Sequence, residues 1–234
     1  MNVAINGDRS CCLTHEIAPG VHLFAVAHGF GRIYDEPVAP AVLARLRTEA
    51  ERRFRANSLL RAQRRAKGIG ALLRSLIDHL NEYVRTRSGS HDDYVVAGCS
   101  LTLVLLVGDR AYLSHVGSTA AYLARDGYAV SLTKHDAFEA GNVCVLTGAL
   151  GAGAASDAIH CTFSLAAGDS IVLSGRRLAG RRQTVAPDEQ ILVVRYEAQQ
   201  ALQPARTAVP LPGAGACVTA GLATLLFYAL LCLH

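Results

Sequence analysis

The sequence contains no tryptophan and one methionine, only 6% of its residues are aromatic, and its formal net charge is a modest +4. A nucleic-acid groove needs a basic surface interleaved with aromatic platforms, and this chain offers neither along its whole length, so no nucleic-acid partner is expected. The seven cysteines, at 11, 12, 99, 144, 161, 217 and 232, are odd in number and include no Cys-x-x-Cys or Cys-x-His spacing. They read as reduced thiols in apolar, strand-like runs, which places the main domain in the cytoplasm. Residues 1–10 lack a basic stretch followed by an apolar one, so no signal peptide is expected. Two further absences remove enzyme classes. Ser174-Gly175-Arg176 follows an apolar strand without the Gly-x-Ser-x-Gly elbow of a hydrolase nucleophile. Gly148-Ala149-Leu150-Gly151-Ala152-Gly153 lacks the lysine of a phosphate loop and reads as a flexible loop.

What is present is apolar. Hydrophobic residues make up 51% of the 234, and the mean hydropathy of +0.25 is high for a wholly soluble domain. Residues 214–233 account for much of it: twenty residues without a charge, ending Leu225-Leu226-Phe227-Tyr228-Ala229-Leu230-Leu231-Cys232-Leu233. About 20 apolar residues as a helix match a ~30 Å hydrocarbon core. The expectation is a transmembrane helix acting as a tail anchor, with a buried terminal helix as the alternative. Residues 198–213 carry Pro204, Pro210 and Pro212 with little periodicity and read as a linker. Residues 1–197 are then one domain.

Within that domain, strand patterns at 3–5, 11–14 and 21–27 are separated by Asn6-Gly7-Asp8 and Pro19-Gly20 turn signals. Pro37 and Pro40 introduce a helix with Val38, Val42, Leu43 and Leu46 on one face, and a second amphipathic helix spans 69–84. Strand patterns follow at 94–107, 111–116, 120–123, 128–132, 158–164, 171–173 and 190–196. Strands, two helices, then a run of strands predict an α+β class: an antiparallel β-sandwich flanked by helices. The stretch Val26-Ala27-His28-Gly29-Phe30-Gly31 stands out, because an apolar strand there runs into a glycine turn with one polar side chain at its mouth.

The order of motifs resembles the metal-dependent PPM, or PP2C-type, Ser/Thr protein phosphatase family over residues 1–197. The family's Asn-Glu-Asp is similar to Asn6-Gly7-Asp8, and its Asp-Gly-x-Gly-Gly strand end to His28-Gly29-Phe30-Gly31-Arg32. A Gly-Thr/Ser-Thr-Ala junction resembles Gly98-Cys99-Ser100-Leu101. Val-Gly-Asp-Ser-Arg-x-Tyr-Leu resembles Val116-Gly117-Ser118-Thr119-Ala120-Ala121-Tyr122-Leu123, and Leu-Thr-x-Asp-His resembles Leu132-Thr133-Lys134-His135-Asp136. Thr147-Gly148-Ala149-Leu150-Gly151 is kept. The segment from Gly168-Asp169 to Ser174-Gly175-Arg176-Arg177-Leu178 resembles the Ser-Asp-Gly-Leu motif, and Asp188-Glu189 the final Asp-Asn.

The resemblance implies a PP2C-like fold and a site in which two Mg²⁺ or Mn²⁺ ions activate a water. The departures fall on that site. The bridging aspartate is His28, beside the Gly29 carbonyl, and imidazole cannot bridge two cations as a carboxylate does. The Ser-Asp-Gly aspartate is Arg176, a permanent cation that would repel a metal. Gly7 and Ser118 replace two more acids, leaving Asp8 and Asp188. The expectation is a membrane-tethered pseudophosphatase with no catalytic residues, metal or cofactor, whose degenerate metal-site equivalents are Asp8, His28, Gly29, Arg176 and Asp188. Arg176 is expected to pair with Asp188 or Asp8. The alternative is an active divergent phosphatase using Asp8, His28 and Asp188 around Mn²⁺ or Mg²⁺. Partners would be the membrane through 214–233 and proteins, phosphorylated or part of a membrane complex.

One charge run completes the inventory. Arg52, Arg53, Arg55, Arg61, Arg64, Arg65 and Lys67 are candidates for an anionic lipid surface, against a plain reading as a solvated helix end. Phe54 is the one aromatic residue in it, which disfavours stacking on bases.

Overall fold

The structure is a computed structural model that describes residues 1–54, 68–89, 97–134, 137–140, 143–146, 148–153, 158–176, 178 and 190–197. Along the chain come β1 (Asn2–Asn6), a 3-10 turn (Arg9–Cys11), β2 (Cys12–Ala18), β3 (Val21–Phe30), β4 (Arg32–Ile33), β5 (Glu36–Pro37), α1 (Val38–Arg53) and α2 (Gly68–Ser88). Then follow β6 (Gly98–Val107), β7 (Arg110–Val116), β8 (Ala120–Arg125), β9 (Tyr128–Ser131), β10 (Ala137–Ala140), β11 (Val143–Leu146), β12 (Ile159–Ser164), β13 (Ser170–Ser174) and β14 (Ile191–Arg195).

Two five-stranded antiparallel sheets carry the domain, one ordered β1-β14-β13-β8-β9 and the other β12-β7-β6-β3-β2. The central pair β3 and β6 is apolar on both faces because both faces are covered. Leu23, Ala25, Ala27, Leu101, Leu103 and Leu105 pack under the helices, with Val42 and Leu46 of α1 and Leu73, Leu76, Ile77 and Leu80 of α2. The opposite face, Phe24, Val26, Val104 and Leu106, meets Ala121, Ile171, Leu173, Leu192 and Val194 of the other sheet. The helical stripes recur at three- and four-residue intervals, the spacing that keeps side chains on one face. Cys11, Cys12, Cys99 and Cys161 are free thiols.

The α+β sandwich read from the sequence is present, with differences at the margins. Among the described residues both helices cover the same sheet. The β10–β11 hairpin was not expected, although Gly141-Asn142 between two short apolar runs is a hairpin signal. The loop at 148–153 was read as flexible, and the structure corrects this. Leu150 exchanges two backbone hydrogen bonds with Cys99, at 3.0 and 2.8 Å. The buried Asn81 amide accepts from Gly151 N–H at 2.8 Å and donates to the Gly153 carbonyl at 2.9 Å. No helix among the described residues is long and apolar enough to cross a membrane, and the linker at 198–213 and the helix expected at 214–233 lie outside the described residues.

Candidate functional site

Strand register brings the candidate residues to one end of the sandwich. In one sheet Asn6, Ile191, Ser174 and Ala120 form a single transverse row. In the other, His28 stands opposite Ser100, and Leu101 opposite Val116. The connection Gly117-Ser118-Thr119 joins the end of β7 to the start of β8, so both rows lie at the same end. Asp8 follows β1 at this end, His28 and Gly29 end β3, and Arg176 stands two residues beyond Ser174. Asp188 lies outside the described residues.

Asp8 caps the 3-10 turn. Its Oδ1 accepts the Ser10 backbone N–H at 2.8 Å, and its Oδ2 accepts the Ser10 hydroxyl at 2.7 Å and the Cys11 thiol at 3.8 Å. The Ser10 hydroxyl, then its backbone N–H, hold this exposed carboxyl below the usual aspartate range. Among the described residues the hydrogen-bond partners of Asp8 are Ser10 and Cys11, so the Arg176–Asp8 pair expected from the sequence is not formed. Cys11 ends the turn and Cys12 follows it, and burial raises both thiols, Cys12 to about 11. His28 is exposed, as is Arg176, whose backbone N–H donates to the Ser174 hydroxyl at 3.5 Å. Gly29 must lack a side chain: a Cβ there would come within 2.6 Å of the Gly98 carbonyl oxygen and of Val38 Cγ1.

Ser118 stands where the resemblance places an aspartate, and it points inward. Its N–H donates to the Ser100 hydroxyl at 3.0 Å, and the two hydroxyls are 3.2 Å apart. Behind this pair a polar chain crosses the inter-sheet layer. The Lys134 carbonyl can only accept, so His115 Nε2 carries hydrogen and donates to it at 2.8 Å. His115 Nδ1 then accepts from the Thr102 hydroxyl at 2.8 Å, and Thr102 accepts from Thr119 at 2.7 Å. His115 is 0% exposed, so this network is structural. Sequence reasoning did not find it, though Ser100 and Thr102 alternating within an apolar strand were its signal.

These positions do not fit a pair of divalent cations. Hard cations want several oxygen ligands, largely carboxylate. Among the described residues the end supplies one aspartate whose two oxygens already accept hydrogen bonds, an imidazole, a glycine carbonyl and a guanidinium. Among the described residues no three His, Cys, Asp or Glu side chains converge.

Of the seven lipid-surface candidates, only Arg52 and Arg53 fall within the described residues. Both bond the buried Glu49 carboxylate, and Arg53 also donates to Ser75 at 2.7 Å. With its side chain 15% exposed, Arg53 has little surface left for a headgroup.

The chain matches solved phosphatases along most of its length. It aligns with the Streptococcus agalactiae serine/threonine phosphatase at a TM-score of 0.62 and 16% identity, covering 82% of this chain and 97% of that one. The Mycobacterium tuberculosis serine/threonine phosphatase PstP/Ppp gives 0.58 and 17%, with 84% and 98% covered. The fold is PP2C-like. A sequence relative, the probable protein phosphatase 2C 5 of Paramecium tetraurelia, is 26% identical over 127 residues, 50% of this chain. That match spans 39% of the relative's length. PppA of Pseudomonas aeruginosa, described as a regulatory component of its T6SS, has the same PP2C-like architecture at a TM-score of 0.58 and 20% identity, with 83% of this chain and 96% of that one covered. No protein-family profile matches.

Proposed function

We propose that the chain is a PP2C-like pseudophosphatase, a binding or assembly subunit tethered to a membrane through residues 214–233, with its main domain cytoplasmic. The observation that carries this is the ligand set: a histidine and an arginine occupy the positions where the resemblance implies aspartates, and the retained Asp8 is engaged as a turn cap. A cation beside the site repels a metal, and an imidazole cannot bridge two. The Arg176 guanidinium, beside the His28 imidazole, suits this end to a phosphorylated or acidic protein partner, bound without turnover. The uncharged stretch at 214–233 supports the tether.

A second reading is an active, divergent phosphoprotein phosphatase. It is favoured by the PP2C-like fold and by Asp8, which is exposed and held ionised. In that reading Asp8, His28 and Asp188 hold one Mn²⁺ or Mg²⁺, which would activate water. One experiment separates the two: metal content and aryl-phosphate hydrolysis of the purified chain in Mn²⁺, with and without Asp8→Ala and Asp188→Ala. The pseudophosphatase has no stoichiometric metal and no turnover. Metal and activity that both vanish in either variant establish the enzyme instead.

A further inference from the structure

The fold holds a second charged site, away from the strand ends, where α1 packs on α2. Glu49 of α1 has a side chain only 6% exposed, and three guanidiniums converge on it. Arg45 Nη2 reaches Oε1 at 3.0 Å. Arg52 donates to Oε2 through Nε at 3.0 Å and Nη2 at 2.6 Å, and Arg53 through Nε at 3.3 Å. His79 of α2 closes the cluster. Its Nε2 accepts from Arg45 Nη2 at 2.9 Å and Nε at 3.3 Å, so that nitrogen carries no hydrogen and its 3.3 Å contact with Glu49 is not a hydrogen bond.

The charges here do not cancel. Three arginines meet one carboxylate, which leaves two positive charges over. The neighbouring Glu51 does not offset them, because Arg47 at 3.2 Å already engages it. On α2, Glu82 is held by Arg85 at 3.0 Å. In the sequence no acidic residue occurs between Glu51 and Asp78. The carboxylate fixes the three guanidiniums in place, and the outer two remain open to solvent, with Arg45 37% and Arg52 63% exposed. Orientation that ordinarily has to be imposed when an anion binds is therefore already present. A fixed guanidinium fork matches phosphate geometry, and an excess of two charges matches a phosphate dianion better than a single carboxylate.

We propose that the α1–α2 face binds a phosphate dianion through Arg45 and Arg52, which the buried carboxylate of Glu49 holds in position. This is independent of whether the strand-end site holds metal. The source of the phosphate is either a free phosphate or the headgroup of a lipid.

The test is calorimetric titration of the full chain in detergent micelles with inorganic phosphate, against chloride at equal ionic strength. Saturable binding is expected, with a shift of the His79 ring resonances. Affinity should fall at least tenfold in Arg45→Gln/Arg52→Gln and stay unchanged in Arg110→Gln, an exposed arginine at the start of β7. Absence of saturable binding, or equal affinity in the double variant, overturns the proposal. A water-soluble dibutyryl phosphatidate arm assigns the source. Binding tenfold tighter than inorganic phosphate points to a lipid headgroup, equal binding points to free phosphate, and either result keeps the site. Should the double variant fail to fold, Arg52→Gln decides, because that side chain is 63% exposed. Its phosphate affinity should fall at least threefold, and affinity equal to that of the unaltered chain overturns the proposal.

Discussion

A Cβ placed on Gly117 would lie 2.3 Å from the Ser100 hydroxyl oxygen, and the same oxygen accepts the N–H of Ser118 at 3.0 Å. The chain passes between the two sheets at this point with φ of +93° at Gly117, a conformation that L side chains rarely adopt. Gly117→Ala should therefore destabilise the domain by about 2 kcal/mol or more, read as the urea midpoint. Adding Ser100→Gly removes the contacts with the hydroxyl and Cβ but leaves the residue-100 Cα at 2.9 Å and the strained φ, so rescue should be partial. Full rescue would show that the backbone conformation contributes nothing.

The proposed pseudophosphatase should gain a metal site when carboxylates are put back. His28→Asp/Arg176→Asp restores the carboxylates that the family pattern places there and removes a repelling cation. The double variant should bind Mn²⁺ in calorimetry where the unaltered chain does not. Equal binding by the two proteins would mean that these residues do not decide metal occupancy.

Asn81 is 1% exposed and bonds both Gly151 and Gly153. Asn81→Ala should cost about 2–3 kcal/mol, because a donor and an acceptor lose their partner at once. Asn81→Asp keeps the acceptor for Gly151 but puts a second oxygen against the Gly153 carbonyl, so it should also destabilise. Chemical denaturation of both variants checks this, and a neutral Asn81→Ala would mean that water replaces the amide.

His79 makes stability depend on pH. Burial, reinforced by Arg45, Arg53 and Arg52, holds its pKa below the ordinary value of 6.5, although Glu49 opposes the shift. The unfolded chain then binds a proton before the native one does, so stability falls as pH drops below 6.5 and levels off once native His79 also protonates. His160 has the same sign, through burial and then Arg74. His79→Gln should flatten the rise of the urea midpoint between about pH 5 and 7 without abolishing it. An unchanged slope would remove His79 from the linkage.

Much of this was readable from residue patterns. The helix stripe Val38, Val42, Leu43 and Leu46 is buried, and the strand at 21–27 is the core of β3, because apolar spacing there matches a covered face. Strand register places Asp8, His28 and Arg176 at one end of the sandwich. Other features depend on partners distant in the chain. Asn81 holds a loop seventy residues away, His115 is sealed by the Lys134 carbonyl, and Glu49 gathers arginines from its own helix together with a histidine from the next. Nothing local marks such pairings. Asp8 was read as a metal-site equivalent open to pairing with Arg176, because the sequence does not show that Ser10 turns back on it.

The ten-residue pairing of β3 with β6 has one last consequence. These two strands serve both hydrophobic layers, so separating them would break both layers at once. Their inner amides should exchange hydrogen with solvent only through global unfolding, whereas those of β9, exposed at a sheet edge, should exchange by local fraying. The strand end bearing His28 should thus be mounted on the slowest-exchanging part of the molecule, which would hold a surface built there in one shape.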